Sequence, residues 1–124
     1  MNAWSPLRGR GAFHQIRRDG KKIQCEFVQC WYQVKPSTHP QVTAGFAIKR
    51  GAFSAVRRNK LRRRMKEAFR LELDGPGNTI REQNRHTSVL FFLKAGNDPM
   101  VARVSYGNLQ KDIATLCRSI ALKL

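Results

Sequence analysis

The chain has 124 residues, with 24 Lys or Arg against 8 Asp or Glu, and a formal net charge of +16. The hydrophobic fraction of 41% is too high for a disordered basic tail, and no apolar run approaches the roughly 18 residues of a membrane span. We therefore expect one soluble globular domain over residues 1–124 that binds polyanions, because such a charge excess favours them through counterion release.

Cysteine usage suggests a reducing compartment. The three cysteines are an odd number without CxxC spacing, which suits buried reduced thiols better than a disulfide framework. The chain does not open with an apolar stretch of signal-peptide length. A cytoplasmic location is therefore expected.

The N-terminal part predicts a short helix followed by extended chain. Residues 1–6 are expected to fray, and residues 11–18 to form a helix that ends near Gly20. From Ile23 onwards apolar and polar residues alternate, as in a strand with one buried face. The alternation changes phase near Phe27, which predicts a bulge or a strand covered on both faces.

The middle of the chain predicts strand, helix and strand. A turn at 36–40 precedes a strand at 42–49. Ser54 is the expected N-cap of a long helix, which a breaker at 74–77 ends. The continuous apolar run at 87–94 has the length of a buried strand.

The C-terminal part predicts one more helix. A turn at 96–99 and a short extended piece at 100–104 lead to Ser105, the expected N-cap. The apolar residues that follow repeat at helical spacing and form one buried stripe: Leu109, Ile113, Leu116, Cys117, Ile120 and Leu124.

The helix after Ser54 carries the densest positive charge in the chain. Seven of the ten residues from Arg57 to Lys66 are basic, and none is acidic. At about 100° per residue the apolar side comprises Leu61, Met65, Ala68 and Phe69, with Leu71 beside them. A different side, called here the basic face, comprises Asn59, Arg62, Arg63, Lys66 and Arg70. A solvated helix normally mixes charges of both signs, so this face predicts contact with phosphates.

Residues that would carry chemistry are not arranged for it. His14, His39 and His86 lack the spacing of a metal site, and Glu67, Glu72 and Asp74 are better explained as ion-pair partners at a helix end. The sequence contains no Gly-rich phosphate loop and no nucleophile with a recognisable base. It therefore predicts a binding protein without catalytic residues, metal ligands or a bound cofactor.

The basic helix resembles that of the protein subunit of bacterial ribonuclease P, whose signature reads R-N-x-x-K-R-x-x-R-E-x-F. This chain matches the signature in identity or charge at Arg58, Asn59, Arg62, Arg63, Lys66, Glu67 and Phe69. A weaker likeness at Phe13, Ile16 and the segment 26–28 extends the resemblance to about residues 7–122.

The chain departs from the family pattern in two places that concern the site. The family usually has Lys-Lys-x-Gly-Asn before the helix, where this chain has RGAFS at 50–54. Family members often have a second aromatic residue one turn after the first, where Arg17 stands here. We expect this arginine to replace stacking with a phosphate contact.

The resemblance implies an α+β fold, an α/β sandwich ordered helix, strands, helix, strand, helix, like the second domain of ribosomal protein S5. The basic helix would make an unusual left-handed crossover between two strands. The family's protein binds a large catalytic RNA and helps it to remove the 5′ leader from precursor tRNA. The RNA performs the hydrolysis with Mg²⁺, so no membrane, dinucleotide or small-molecule cofactor is implied.

The resemblance also implies two binding surfaces. A groove between the first helix and the sheet would hold the single-stranded leader through Phe13, Arg17 and Phe27. Phe13 fits a core position under its own helix equally well, and Phe27 fits a buried strand position better. The catalytic RNA would contact Arg50, Arg58, Asn59, Arg62, Arg63 and Lys66.

Two other functions are compatible with the basic helix. A structural ribosomal protein or RNA chaperone could carry the same helix on a related sheet, without a nuclease partner. A nuclease that cleaves RNA with its own side chains is the third hypothesis. Incubation with precursor tRNA and Mg²⁺, with and without the catalytic RNA, distinguishes the three.

Overall fold

In the residues that the structure describes, one sheet and three helices form a mixed α+β structure, as predicted. The structure is a computed structural model that describes residues 4–48, 53–75, 80, 84–94 and 104–123. In these ranges the elements are β1 (Ser5–Pro6), α1 (Arg10–Asp19), β2 (Lys21–Gln24), β3 (Val28–Pro36), β4 (Gln41–Ile48), α2 (Ala55–Asp74), β5 (Arg85–Leu93) and α3 (Tyr106–Leu122).

The strands form one five-stranded sheet in the order β1-β4-β5-β3-β2. The central strand β5 runs antiparallel to β3 and parallel to β4. Parallel neighbours require a crossover connection, and α2 lies in the connection from β4 to β5. The basic helix is therefore the crossover helix, as expected, while the left-handed sense of the crossover stays a prediction.

Strand alternation divides the sheet into two unequal faces. One face carries the large core, which includes Phe46 and Phe91 from the sheet and Met65 and Phe69 from α2. The other face carries a small cluster of Ile16, Trp31 and Leu90 beneath α1. The sheet therefore lies between a layer of α2 and α3 and a partial layer made by the ten-residue α1.

The prediction that residues 1–6 fray is wrong for the residues that the structure describes. Ser5 and Pro6 pair with Thr43 and Ala44 of β4. The Trp4 ring lies 5.5 Å from the ring of Phe46, so an aromatic residue holds this segment against the core.

The phase change near Phe27 is a chain reversal rather than a bulge within one strand. Strand β2 ends at Gln24 and β3 begins at Val28, and the two strands pair antiparallel. Asp112 of α3 stabilises the turn because its Oδ2 accepts hydrogen bonds from the N–H groups of Phe27 at 2.7 Å and Val28 at 3.2 Å.

The helix caps agree with the sequence, whereas two details differ. Ser54 Oγ accepts a hydrogen bond from the N–H of Arg57, and Ser105 forms a capping box with Asn108. Leu71 is 44% exposed and does not join the apolar stripe of α2. Strand β5 begins two residues earlier than predicted and ends at Leu93.

Several predictions fall outside the described residues: the breaker residues 76–77, the turn at 96–99, most of the extended piece at 100–104, Leu124, and Arg50 with its neighbours 49–52. Within the described ranges, no helix has both the length and the apolar character needed to cross a bilayer.

Candidate nucleic-acid interface

The apolar stripe of α2 fixes where its basic face points. Leu61, Met65, Ala68 and Phe69 are all buried against the sheet and α3, as the helical spacing predicted. Because side chains on one helix diverge at about 100° per residue, the basic face points away from that core.

Three cations of the basic face are arranged to meet an external anion. Arg63 and Lys66 are exposed and make no hydrogen bond or ion pair among the described residues. Arg62 is half-buried, and its Nη1 donates to Asn59 Oδ1 at 3.1 Å. This contact orients one edge of the guanidinium and leaves other N–H groups for a phosphate.

Two further arginines have their charged groups engaged within the protein. Arg58 is half-buried, and its Nη1 donates to the carbonyl of Phe53 at 2.8 Å, which braces the entry to α2. Arg70 Nη2 lies 2.6 Å from Glu67 Oε1, and Arg70 Nη1 lies 3.6 Å from Asp74 Oδ2, so carboxylates already offset its charge. The positive potential of the basic face is therefore concentrated at Arg62, Arg63 and Lys66.

The remaining arginines of α2 contact α3 and its approach. Arg64 lies over the Tyr106 ring, with its guanidinium carbon 4.8 Å from the ring centroid. Arg57 lies 5.5 Å from the Phe53 ring centroid, and its Nη2 donates to the carbonyl of Val104 at 3.4 Å. Sequence reasoning missed this packing role because it depends on where α3 lies.

A second surface lies on the sheet face beneath α1. The guanidinium carbon of Arg17 lies 5.0 Å from the Trp31 ring centroid and 5.7 Å from that of Phe92. Lys22 Nζ lies 5.4 Å from the Trp31 centroid, and the two aromatic rings meet edge to face. We call Arg17, Lys22, Trp31 and Phe92 the aromatic patch, in which cations lie directly beside aromatic rings.

Phe13 borders the aromatic patch from α1. Phe13 is half-buried and packs against the small cluster on this sheet face. A Cβ at Gly45 would lie 3.1 Å from Phe13 Cε1 and 3.2 Å from Leu7 Cβ. Glycine at position 45 therefore lets the Phe13 ring of α1 lie close to β4.

Phe27 does not lie with Phe13 and Arg17. Its side chain is 7% exposed and belongs to the large core on the opposite sheet face. Trp31 and Phe92 occupy the position in the groove that Phe27 was expected to fill. The alternation of residues in β3 and β5 predicts that Trp31 and Phe92 face away from Cys30 and Phe91. It does not predict that the two rings contact each other.

Within the described residues, no three His, Cys, Asp or Glu side chains are grouped to hold a metal ion. All three cysteines are free, and burial raises the pKa values of the Cys30 and Cys117 thiols.

The two surfaces together indicate the class of protein. An α+β fold with an exposed basic helix on one side of its sheet and an aromatic patch on the other defines an RNA-binding protein.

Comparisons with known proteins give the family. The profile of the family described as Ribonuclease P matches residues 1–121. The ribonuclease P protein component of Chloroflexus aggregans is 32% identical over 124 residues, covering 98% of this chain and 82% of the relative. The ribonuclease P protein component of Chloroflexus aurantiacus is 30% identical over 118 residues, covering 94% of this chain and 77% of the relative.

Solved structures agree on the fold. The ribonuclease P protein of Thermotoga maritima matches with a TM-score of 0.64 at 22% identity, covering 93% of this chain and 96% of the other. That of Staphylococcus aureus matches with a TM-score of 0.69 at 11% identity, covering 93% and 94%.

The chain belongs to the ribonuclease P protein family. Members of this family are protein components of ribonuclease P, the endoribonuclease complex of tRNA 5′ processing, and this membership makes ribonuclease P RNA its partner.

Proposed function

We propose that this protein binds the catalytic RNA of ribonuclease P through the basic face of α2 and the 5′ leader of precursor tRNA through the aromatic patch. The RNA, with Mg²⁺, hydrolyses the phosphodiester bond, and the protein holds the two RNA molecules together. The placement of the two surfaces on opposite layers of one sheet carries the proposal. The compartment is the cytoplasm, in keeping with three free thiols.

The basic face suits structured RNA. Arg62, Arg63 and Lys66 lie within two turns of one helix, so they can track the phosphates along one strand of a folded RNA. Their contacts would be largely independent of sequence, because phosphates position a protein and bases specify it. Arg58 supports this surface by holding the start of α2, and Arg50 lies outside the described residues.

The aromatic patch suits a single strand. Unpaired bases stack on aromatic rings and on guanidinium planes, and both are present where Arg17 lies over Trp31 and Phe92. Trp31 is buried, so the half-buried Phe92 and the exposed Arg17 are the accessible stacking surfaces. Lys22 supplies a cation for the backbone of the same strand.

The leader assignment is tested by comparing precursor with mature tRNA. Arg17→Gln should weaken binding of precursor tRNA to the assembled complex about tenfold and leave mature tRNA unchanged, because one stacking contact is worth about 1–3 kcal/mol. Arg10→Gln is the matched control, since it removes one exposed positive charge from the same helix. Equal losses for precursor and mature tRNA would remove the leader from the proposal.

The division of labour is tested by cleavage. The protein should cleave precursor tRNA only together with ribonuclease P RNA and Mg²⁺, and it should raise the rate of the RNA at low Mg²⁺. Cleavage by the protein alone would identify a protein nuclease. Tight RNA binding without any effect on cleavage would favour a ribosomal or RNA-chaperone role.

A further inference from the structure

A third cationic surface lies at the free edge of β3. Strand β2 pairs with the segment from Gln29 to Tyr32, and beyond Tyr32 no other described strand pairs with β3 on that side. A cleft of about 530 Å³ lies there, between the end of α1, the start of β5 and the end of α3. We call it the β3-edge cleft.

Positive charge from four parts of the chain converges on this cleft. Its lining includes Lys21, Lys35, Arg85 and Lys123, which are distant in sequence and are brought together by the fold. Asp19 is the one acidic residue among the described residues that line it. The charge of Asp19 is already met by Arg18 at 3.1 Å, and that hydrogen bond lowers the pKa of the carboxyl group.

Tyr32, one of the residues that line the cleft, carries a buried hydroxyl group. Tyr32 lines the cleft and is 4% exposed, and its Oη has no hydrogen-bond partner among the described residues. Buried polar groups are almost always hydrogen-bonded in native structures, so this hydroxyl has an unused donor that it can offer to a ligand. Burial raises the pKa of the Tyr32 hydroxyl, which therefore remains protonated and able to donate.

The cleft is separate from both surfaces described above. None of the described residues that line it belongs to α2 or to the aromatic patch. Adjacent residues of a strand point to opposite faces, so Tyr32 lies on the core face whereas Trp31 lies on the face beneath α1.

We propose that the β3-edge cleft binds a phosphate group of an RNA strand, as a third RNA contact beyond the basic face and the aromatic patch. Several cations around one hydroxyl donor form a site for a phosphate oxygen, and an anion would satisfy the buried hydroxyl as well as the charges. A cleft of about 530 Å³ has room for a nucleotide unit, which suits the backbone of a strand passing along the edge of β3.

The test uses three variants that differ in what they remove. Lys35→Gln removes one exposed charge from the cleft, and Tyr32→Phe removes only the unpartnered hydroxyl. Lys111→Gln is the matched control, because it removes one exposed charge from α3 outside the cleft. Binding of ribonuclease P RNA, alone and with precursor or mature tRNA, is titrated at several salt concentrations, with unfolding temperature as the check on folding.

We expect Lys35→Gln to weaken RNA binding about fivefold at 0.15 M salt and to reduce the magnitude of the log-log salt slope by about 0.9, the value for one phosphate contact. Tyr32→Phe should weaken binding about tenfold with little change in slope, because it removes a hydrogen bond to a charged group and no charge. Lys111→Gln should change neither quantity.

Inorganic phosphate, compared with chloride at equal ionic strength, separates the two possible sources of the phosphate group. The proposal is supported if phosphate raises the unfolding temperature of Lys35→Gln less than that of Lys111→Gln, and if Lys35→Gln also binds RNA more weakly. The same difference without any change in RNA affinity assigns the cleft to free phosphate and overturns the RNA contact. The proposal is also overturned if Lys35→Gln and Tyr32→Phe bind RNA as tightly as the control does. The ratio of the affinities for precursor and mature tRNA tests the leader assignment alone.

Discussion

Replacing Arg63 and Lys66 by glutamine should remove two phosphate contacts and leave the fold intact. Both side chains are exposed on the basic face, and neither is held by another described residue. Met65, which lies between them in sequence, is fully buried and is not changed. The double variant therefore separates RNA affinity from stability.

The size of the effect follows from counterion release. Each phosphate contact contributes about 0.9 to the slope of log affinity against log salt, so the slope should become shallower by about 1.8. If this contribution vanishes near 1 M salt, each contact is worth about fivefold in affinity at 0.15 M and about 15-fold at 0.05 M. The double variant should then lose about 30-fold at 0.15 M salt and about 200-fold at 0.05 M.

Filter-binding or fluorescence titrations with ribonuclease P RNA at four or more salt concentrations measure both numbers. Circular dichroism and thermal unfolding establish that the variant is folded. Lys111→Gln again serves as the charge control, with an expected change within about twofold because counterion release requires contact. A folded double variant with the slope and affinity of the original protein would show that the basic face does not bind RNA.

Two further predictions concern the interior. Asp112→Ala should lower the free energy of unfolding by about 2–4 kcal/mol, because the N–H groups of Phe27 and Val28 lose their acceptor. Urea denaturation should show a smaller loss for Asp112→Asn, which keeps an acceptor, and equal losses would contradict the role given to these hydrogen bonds. Thr87 is fully buried with a hydroxyl that has no partner among the described residues. Thr87→Val should therefore raise the free energy of unfolding by about 1 kcal/mol in the same assay, and a decrease would show that the hydroxyl is satisfied.

Local periodicity was sufficient to predict the helices that carry the core. The stripe from Leu61 to Phe69 and the stripe from Leu109 to Ile120 are buried as predicted, and Ser54 and Ser105 cap their helices. These features are set by neighbours within a few residues, which a single sequence contains.

Features that depend on distant residues could not be predicted in the same way. The pairing of Trp31 with Leu90, which brings Phe92 beside Trp31, is a matter of strand register. The turn at residues 25–27 is held by Asp112, 84 or more positions away. The local alternation predicted a bulge or a strand covered on both faces there, because it contains no information about the carboxylate from α3.

The basic face shows the same limit at the level of charge. Helical spacing places Arg70 beside Arg63 and Lys66, so the sequence predicts one more cation on the basic face. Its side chain instead takes the rotamer that meets Glu67 and Asp74. Whether an arginine pairs with a carboxylate of the protein or with an external phosphate depends on local packing. A count of charges in the sequence does not include that packing.

The position of β5 has a consequence for the synthesis of the chain. Strands β3 and β4 are consecutive in sequence, but β5 separates them in the sheet, so neither has its central neighbour until residues 85–93 have been made. The turn before β3 waits still longer, for Asp112. Such long-range pairing is slow to form, and the nascent segment, which carries most of the 24 basic residues, leaves the ribosome largely without a sheet. RNA in the surroundings therefore meets this basic chain before its sheet is complete.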